Sequence, residues 1–351
     1  MTRPEATLAP PGIDVPAITL WMAEHVDGVE PPLTFARIGE GQSNLTFRVR
    51  DSVGRVVVLR RPPAVDLLPT AHDMRREHRV LTGLASVGMP VPRPLALCED
   101  ATVTGAPFYV MEHVEGIVLS TVAAAESVGP EARTRASASL IETLVRLQTT
   151  DLAATGLDEM RRPGSYASRQ LRRWRRQWEA SRTREVPLIE LVADRLEASV
   201  PEETETTIVH GDYHLLNTIV GPDGEVRAVV DWELCTVGDP LADLGLTIAY
   251  WSELGQPAAE ERHLFREPIT QLDGFFTAEA LATEYERASG RDVAALPFWL
   301  SFAYWKIAVI AEGVFRRWLD NPTSGTEPEH IGAAVERLAE LADRAAAGAS
   351  L

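Results

Sequence analysis

Ile208-Val-His-Gly-Asp-Tyr-His-Leu-Leu-Asn217, followed by Val229-Val-Asp-Trp-Glu233, sets the architecture of this chain. In each stretch an apolar, strand-like run delivers polar residues into a loop. His210 and Asp212 leave the first run, and Asn217 follows Asp212 by five residues. Asp231 ends the second run, fourteen residues after Asn217. Phosphoryl transfer needs these residue types in one place. One carboxylate accepts the hydroxyl proton, while an amide oxygen and a second carboxylate hold Mg²⁺ across the phosphates. Taken singly, each residue has a plainer explanation: His-Gly-Asp makes a tight turn, and an aspartate caps the next element. The joint spacing, with apolar strands on both sides, favours the chemistry.

The rest of the chain is ordinarily globular, with 351 residues, 45% hydrophobic and 24% charged. That length suits two lobes better than one core. No apolar run is expected to reach the roughly 18 residues that span a bilayer. The opening MTRPEATLAPPGIDVP lacks the apolar centre of a secretory signal. Cys98 and Cys235 are far apart and make no metal-type spacing, and sparse cysteine fits a reducing cytoplasm. The eight histidines form no metal cluster in sequence. A formal charge of −17 opposes general binding to nucleic acid or anionic membranes. It leaves room for a nucleotide, whose phosphates a local patch and Mg²⁺ can hold. Lys306 is the only lysine; every other fixed cation is arginine.

A Pro-rich lead and a short helix around Pro16–His25 occupy residues 1–30. Strands are expected at Phe35–Ile38, Leu45–Arg50 and Val56–Arg60, then a helix from about Ala71 to Ala85, then strands at Leu95–Cys98 and Phe108–Glu112. From about Glu126 the period turns helical, with candidates at 130–150, 165–183, 186–198, 239–254, 277–289, 293–318 and 327–347. The β-type segments Ile208–Val220 and Val226–Trp232 interrupt it around the turn Gly221-Pro-Asp-Gly224. A small β-rich lobe followed by a helical lobe is a bilobal plan, and such plans commonly bind nucleotides between lobes.

His210-Gly-Asp212…Asn217…Asp231-Trp-Glu233 resembles the Brenner-type motif of aminoglycoside phosphotransferases and choline/ethanolamine kinases. Its D-x-x-x-x-N spacing is that of the protein-kinase catalytic loop. Gly238-Asp-Pro-Leu-Ala-Asp-Leu-Gly245 looks like the branch related to kinase-like domains fused to acyl-CoA dehydrogenases. The resemblance covers about residues 33–320 and implies an α+β, protein-kinase-like fold. It places a nucleotide-binding N-lobe at 31–115 and a helical C-lobe with catalytic loop and substrate pocket at 116–351. It implies ATP or GTP as co-substrate, Asp212 as base, and Asn217 and Asp231 as Mg²⁺ ligands.

Within that frame, the turn Gly39-Glu-Gly41-Gln-Ser-Asn44 would cover the phosphates through its backbone and through Ser43 and Asn44. Met111, Glu112 and Val114 would form the purine hinge. The third strand departs from the family pattern, because Val57-Val-Leu-Arg60-Arg61 has no lysine. Arg60 is expected to serve instead, paired with Glu77 on the following helix. Arginine keeps the charge but binds as a planar fork, so the exchange is not neutral. Asp239 is expected to cap a helix and Asp243 to brace the catalytic loop. Arg169–Arg176 suits a solvated basic helix face, with an anion-binding surface as the rival. Trp299, Phe302, Ala303 and Lys306 suit a helical core face. Glu233, Tyr250, Trp251, Tyr304 and Trp305 are the candidates for an acceptor pocket.

The partner expected is a small-molecule hydroxyl acceptor, in the cytoplasm, with no nucleic acid and no membrane. The sequence leaves open whether that acceptor is an antibiotic, a choline-like amine, a sugar or a hydroxyacyl compound. It leaves open a catalytically silent, nucleotide-binding pseudokinase too, and it does not fix the oligomeric state.

Overall fold

Five short strands, some alternating and some continuously apolar, build one antiparallel sheet in the first of two units, Met1–Glu115 and Gly116–Leu351. The computed structural model describes residues 13–38, 44–63, 73–251, 267–320 and 328–348. The first unit opens with α1 (Val15–His25), capped by Asp14 accepting from the Ala17 N–H. Then come β1 (Thr34–Ile38), β2 (Leu45–Arg50), β3 (Val56–Arg61), α2 (Met74–Ser86), β4 (Pro94–Cys98) and β5 (Phe108–Glu112). The sheet order is β1-β2-β3-β5-β4. Phe47 and Val49 of β2, Val57 and Leu59 of β3, and Val110 of β5 share one core with Ile18 and Met22 of α1. Fully burying an apolar side chain of this size stabilises by about 1.5–3 kcal/mol.

Alternation puts Val56, Val58 and Arg60 on the other face of β3. There Thr46 stands opposite Arg60, and Met111 opposite Val58. Asp73 starts α2 by accepting from the Arg75 and Arg76 N–H groups, which sets the helix phase. That phase turns Val80, Leu81, Leu84 and the carboxylate of Glu77 inward. The expected helix start near Ala71 lies outside the described residues.

The second unit contains α3 (Val122–Ser127), α4 (Gly129–Gln148), α5 (Leu152–Thr155), α6 (Tyr166–Ser181) and α7 (Pro187–Ala198). Two small β pairs follow: β6 (Thr207–Val209) with β9 (Thr236–Gly238), and β7 (Thr218–Val220) with β8 (Val226–Val229). The described helices after them are α8 (Leu241–Trp251), α9 (Ala278–Ser289), α10 (Leu296–Asp320) and α11 (Pro328–Ala346). The long β segment expected over Ile208–Val220 is two short strands, separated by the loop and a 3₁₀ turn at Leu215–Asn217. Polar His-Gly-Asp and His214 interrupt its alternation.

One expectation needs correction. Helix α10 is long and apolar enough, by length and composition, to cross a bilayer. Its apolar residues are used inside the unit instead, packed against α6, α7, α8 and α11. Trp299, Leu300, Tyr304, Trp305 and Val309 are each at most 1% exposed.

Candidate functional site

Strand β6 ends where the chain must turn, and its partner β9 lies close behind. Gly211 adopts φ +85°, and a Cβ there would stand 2.8 Å from the Leu234 carbonyl oxygen. Glycine is therefore required between His210 and Asp212. The turn is held from outside. Asp243, in the first turn of α8, accepts from the His210 N–H at 2.7 Å and the Gly211 N–H at 2.9 Å. It is the brace expected from the sequence. Asp239 accepts from the Leu241 N–H at 2.8 Å, a helix-start contact. Burial pushes both carboxyls up to about 6. For Asp243 the Gly211 and His210 N–H groups and Lys306 pull the other way.

His210 is fully buried and links two segments. Its Nδ1 accepts from the Asp212 N–H at 3.1 Å, so its Nε2 carries the proton and donates to the Val230 carbonyl at 3.0 Å. The ring lies 4.5 Å from that of Trp232, whose indole N–H donates to Val229. Desolvation pushes the imidazole down to about 4. An unfolded chain, at about 6.5, therefore takes the proton first as pH falls. The contribution of His210 is fully present above about pH 6.5 and is lost toward about 4. Asp239 and Asp243 act with the opposite sign below about 6, where the folded state binds the proton first. His210→Gln should thus gain stability relative to wild type as pH drops from about 6.5 to about 4. Urea melts at several pH values measure this. A difference that does not vary with pH would show that the imidazole is not held neutral by the fold.

Asp212 keeps 32% of its side chain exposed, so its carboxylate is reachable. Burial pushes that carboxyl up, but neighbouring His214, then Lys306, outweigh it and hold it well below the usual range. Asn217 Nδ2 donates to Asp212 Oδ2 and to the Asp212 carbonyl, both at 2.9 Å. That orientation leaves the Asn217 amide oxygen without a protein donor among the described residues. The β7–β8 hairpin explains why Asp231 is adjacent. Thr218 stands opposite Val229, and the Val230 N–H donates to the Asn217 carbonyl at 2.9 Å. Asp231 itself has φ 67°, the one positive value at a non-glycine among the described residues. Such a conformation costs of order 1–3 kcal/mol, less for aspartate than for most residues.

The first unit holds the remaining candidates. Arg60 Nε donates to Glu77 Oε2 at 3.1 Å, with the two side chains 12% and 3% exposed. Arg60 also reaches Thr46 Oγ1 at 3.4 Å. Arg61 points to the opposite face, is 2% exposed, and donates to the Pro62 carbonyl. Asn44 is buried; Ser43 and the rest of the glycine-rich turn, 39–43, lie outside the described residues. Met111 is buried on the Arg60 face, and the Glu112 N–H donates to the Arg93 carbonyl. The Val114 N–H has no protein acceptor among the described residues. If Arg60 serves the nucleotide, Arg60→Ala should raise nucleotide KM or lower kcat by roughly tenfold or more. Arg61→Gln, assayed where it is folded, should change neither by more than about twofold. A sensitive Arg61 and a silent Arg60 would reverse the assignment.

Among the acceptor-pocket candidates, Tyr250 is half-buried with its ring 4.3 Å from that of His214, and Glu233 is half-buried beside Asp231. Trp251, Tyr304 and Trp305 are core side chains instead. The indole N–H of Trp251 donates to Phe276 and that of Trp305 to Ile189, and all three are at most 4% exposed. On α6, Arg175 is engaged by Asp194 and Glu197, and Arg169 by the Arg162 and Pro163 carbonyls. Two residues beside Asp212 were not among the expected site residues. His214 brings Nε2 to 3.4 Å from Asp212 Oδ2, and Lys306 donates to Gly211. A histidine two residues past the aspartate, and a lone lysine, were the available signals.

The chain belongs to the phosphotransferase enzyme family, whose model matches residues 34–290. It is 36% identical over 318 residues to acyl-CoA dehydrogenase family member 10 of Mus musculus, covering 89% of this chain and 29% of that protein. The chain therefore spans less than a third of that relative's length. A solved structure of a putative aminoglycoside phosphotransferase from Ralstonia eutropha is 33% identical, with a TM-score of 0.78, covering 96% of this chain and 99% of that one. Choline kinase from Cryptosporidium parvum shares 12% identity at a TM-score of 0.64, over 95% and 98% of the two chains, a likeness of fold. The expected protein-kinase-like α+β fold holds.

Proposed function

We propose that the chain transfers the γ-phosphoryl group of ATP or GTP to a hydroxyl of a small molecule. The observation that carries this is the Asp212–Asn217 contact, with Asp231 brought alongside by the β7–β8 hairpin. Asp212 is the only one of the three proposed to take the proton, its carboxylate being ionised, partly exposed and held by Asn217. A metal here would be held by the Asn217 amide oxygen and the Asp231 carboxylate. These are hard oxygen donors, few in number, and fit Mg²⁺, which keeps waters and takes its other ligands from phosphates. When bound, Mg²⁺ neutralises charge on the phosphates. In this reading the Asp212 carboxylate orients the acceptor hydroxyl and takes its proton.

The same machinery would serve an antibiotic, choline-like or hydroxyacyl acceptor, because contacts in the acceptor pocket decide the substrate. The absent β3 lysine favours one rival, a silent nucleotide-binding protein. Incubation with Mg²⁺, ATP or GTP and a metabolite extract separates the two. Mass spectrometry should find a compound gaining about 80 daltons, the mass of HPO₃. Tight nucleotide binding with no such product and no ADP would favour the silent reading.

A further inference from the structure

Among 34 lysine and arginine side chains, Lys306 is the one ammonium, and it sits on α10 at 7% exposure. Its Nζ donates to the Gly211 carbonyl at 2.6 Å and lies 5.5 Å from the centre of the Trp174 ring. The charged groups that face it are Asp212, Asp243 of α8 and Arg173 of α6. Burial disfavours its charge, the two carboxylates support it, and Arg173 opposes it. Gly211 is thus held at both ends: its N–H by Asp243 and its carbonyl by Lys306. That carbonyl belongs to the peptide bond leading into Asp212, so fixing it fixes the start of the Asp212 residue. An ammonium on a flexible stem can meet a single carbonyl. A guanidinium brings a rigid fork of five donors that one carbonyl does not satisfy.

We infer that Lys306 is a positioning residue for Asp212, its ammonium pinning the Gly211 carbonyl and compensating the paired charges of Asp212 and Asp243. The catalytic part of this rests on the phosphotransfer reading; the electrostatic coupling does not. Because the chain has one lysine, protein grown with lysine ¹³C-labelled at Cε gives a single lysine resonance, whose titration reports Lys306 alone. In Asp212→Asn that midpoint should fall by about one unit, the effect of losing a nearby opposite charge. An equal midpoint in the two proteins would overturn the inference. This readout uses the native lysine, so it survives if Lys306 variants fold poorly.

The second arm measures ADP release from Mg·ATP, with water taking the phosphoryl group as inorganic phosphate, or with an acceptor found by the mass-spectrometric screen. Lys306→Met should slow it roughly tenfold or more through kcat, with ATP affinity held within about twofold. Wild-type kcat in that variant would overturn the positioning role even if the charges couple. Full turnover in Asp212→Asn would remove Asp212 as the base and with it the catalytic part of the inference, whereas no ADP release by the wild-type protein would overturn the phosphotransfer reading, a distinct result.

Discussion

Asp212→Ala is expected to reduce phosphoryl transfer by about 10²–10⁴ while nucleotide affinity stays nearly intact. The asymmetry follows from what the carboxylate touches. Its Oδ2 accepts from Asn217 and lies near His214, and it is partly open to solvent. Nothing in that set requires it to carry the metal, so its loss should fall on the acceptor step. Removing the side chain also takes away one of the two Asp212 oxygens that accept from the Asn217 amide, and the loop could shift for that reason alone. Asp212→Asn is the needed companion, since it preserves the shape and an acceptor oxygen while losing basicity. Both variants should be slow in kcat and similar to wild type in nucleotide titrations. A fast Asp212→Asn would leave Asp212 as a structural hydrogen-bond acceptor and move the base elsewhere.

Asp231→Asn should abolish the Mg²⁺-dependent part of nucleotide binding. In the proposed site Asp231 supplies the only full negative charge that meets the metal, the other ligand being a neutral amide. The substitution isolates that charge unusually well. Asparagine, like aspartate, tolerates the left-handed backbone found at this position, so the φ of 67° need not change. Titrations of ATP with and without Mg²⁺ should superimpose in the variant and separate in wild type. Retained metal dependence would make Asp231 a structural residue and place the metal elsewhere.

Much of the fold was legible because local pattern and tertiary demand agree. Strand Leu45–Arg50 falls where alternation put it and strand Phe108–Glu112 where a continuous apolar run put it, and α4, α6, α7 and α9 follow the 3.6-residue period to within a residue or two. The interior of β3 shows the same agreement: alternation assigned Arg60 and Arg61 to opposite faces, and Glu77 meets Arg60. Three kinds of feature were not legible. Short elements such as α3, α5 and β9 carry too few residues for a periodic signal. The aromatic residues Trp251 and Trp305 look alike as pocket wall or core, and only their bonds to backbone carbonyls decide. Lys306 was placed on a core face correctly, but its partner Gly211 lies 95 residues away in sequence. No spacing rule reaches that far.

The bracing of the His210–Asp212 turn has a consequence for when the chain becomes competent. Its clamps span 33 residues to Asp243 and 95 to Lys306, and Tyr213 reaches back 73 residues to the Leu140 carbonyl. All these contacts are non-local, and non-local contacts form only after the entropy of closing long loops has been met. A ribosome makes Asp212, Asn217 and Asp231 well before it makes Lys306. A nascent or truncated chain ending before α10 would hold every residue of the motif and still lack one of its clamps. Chemical competence should therefore appear late in synthesis, when α10 docks against α8.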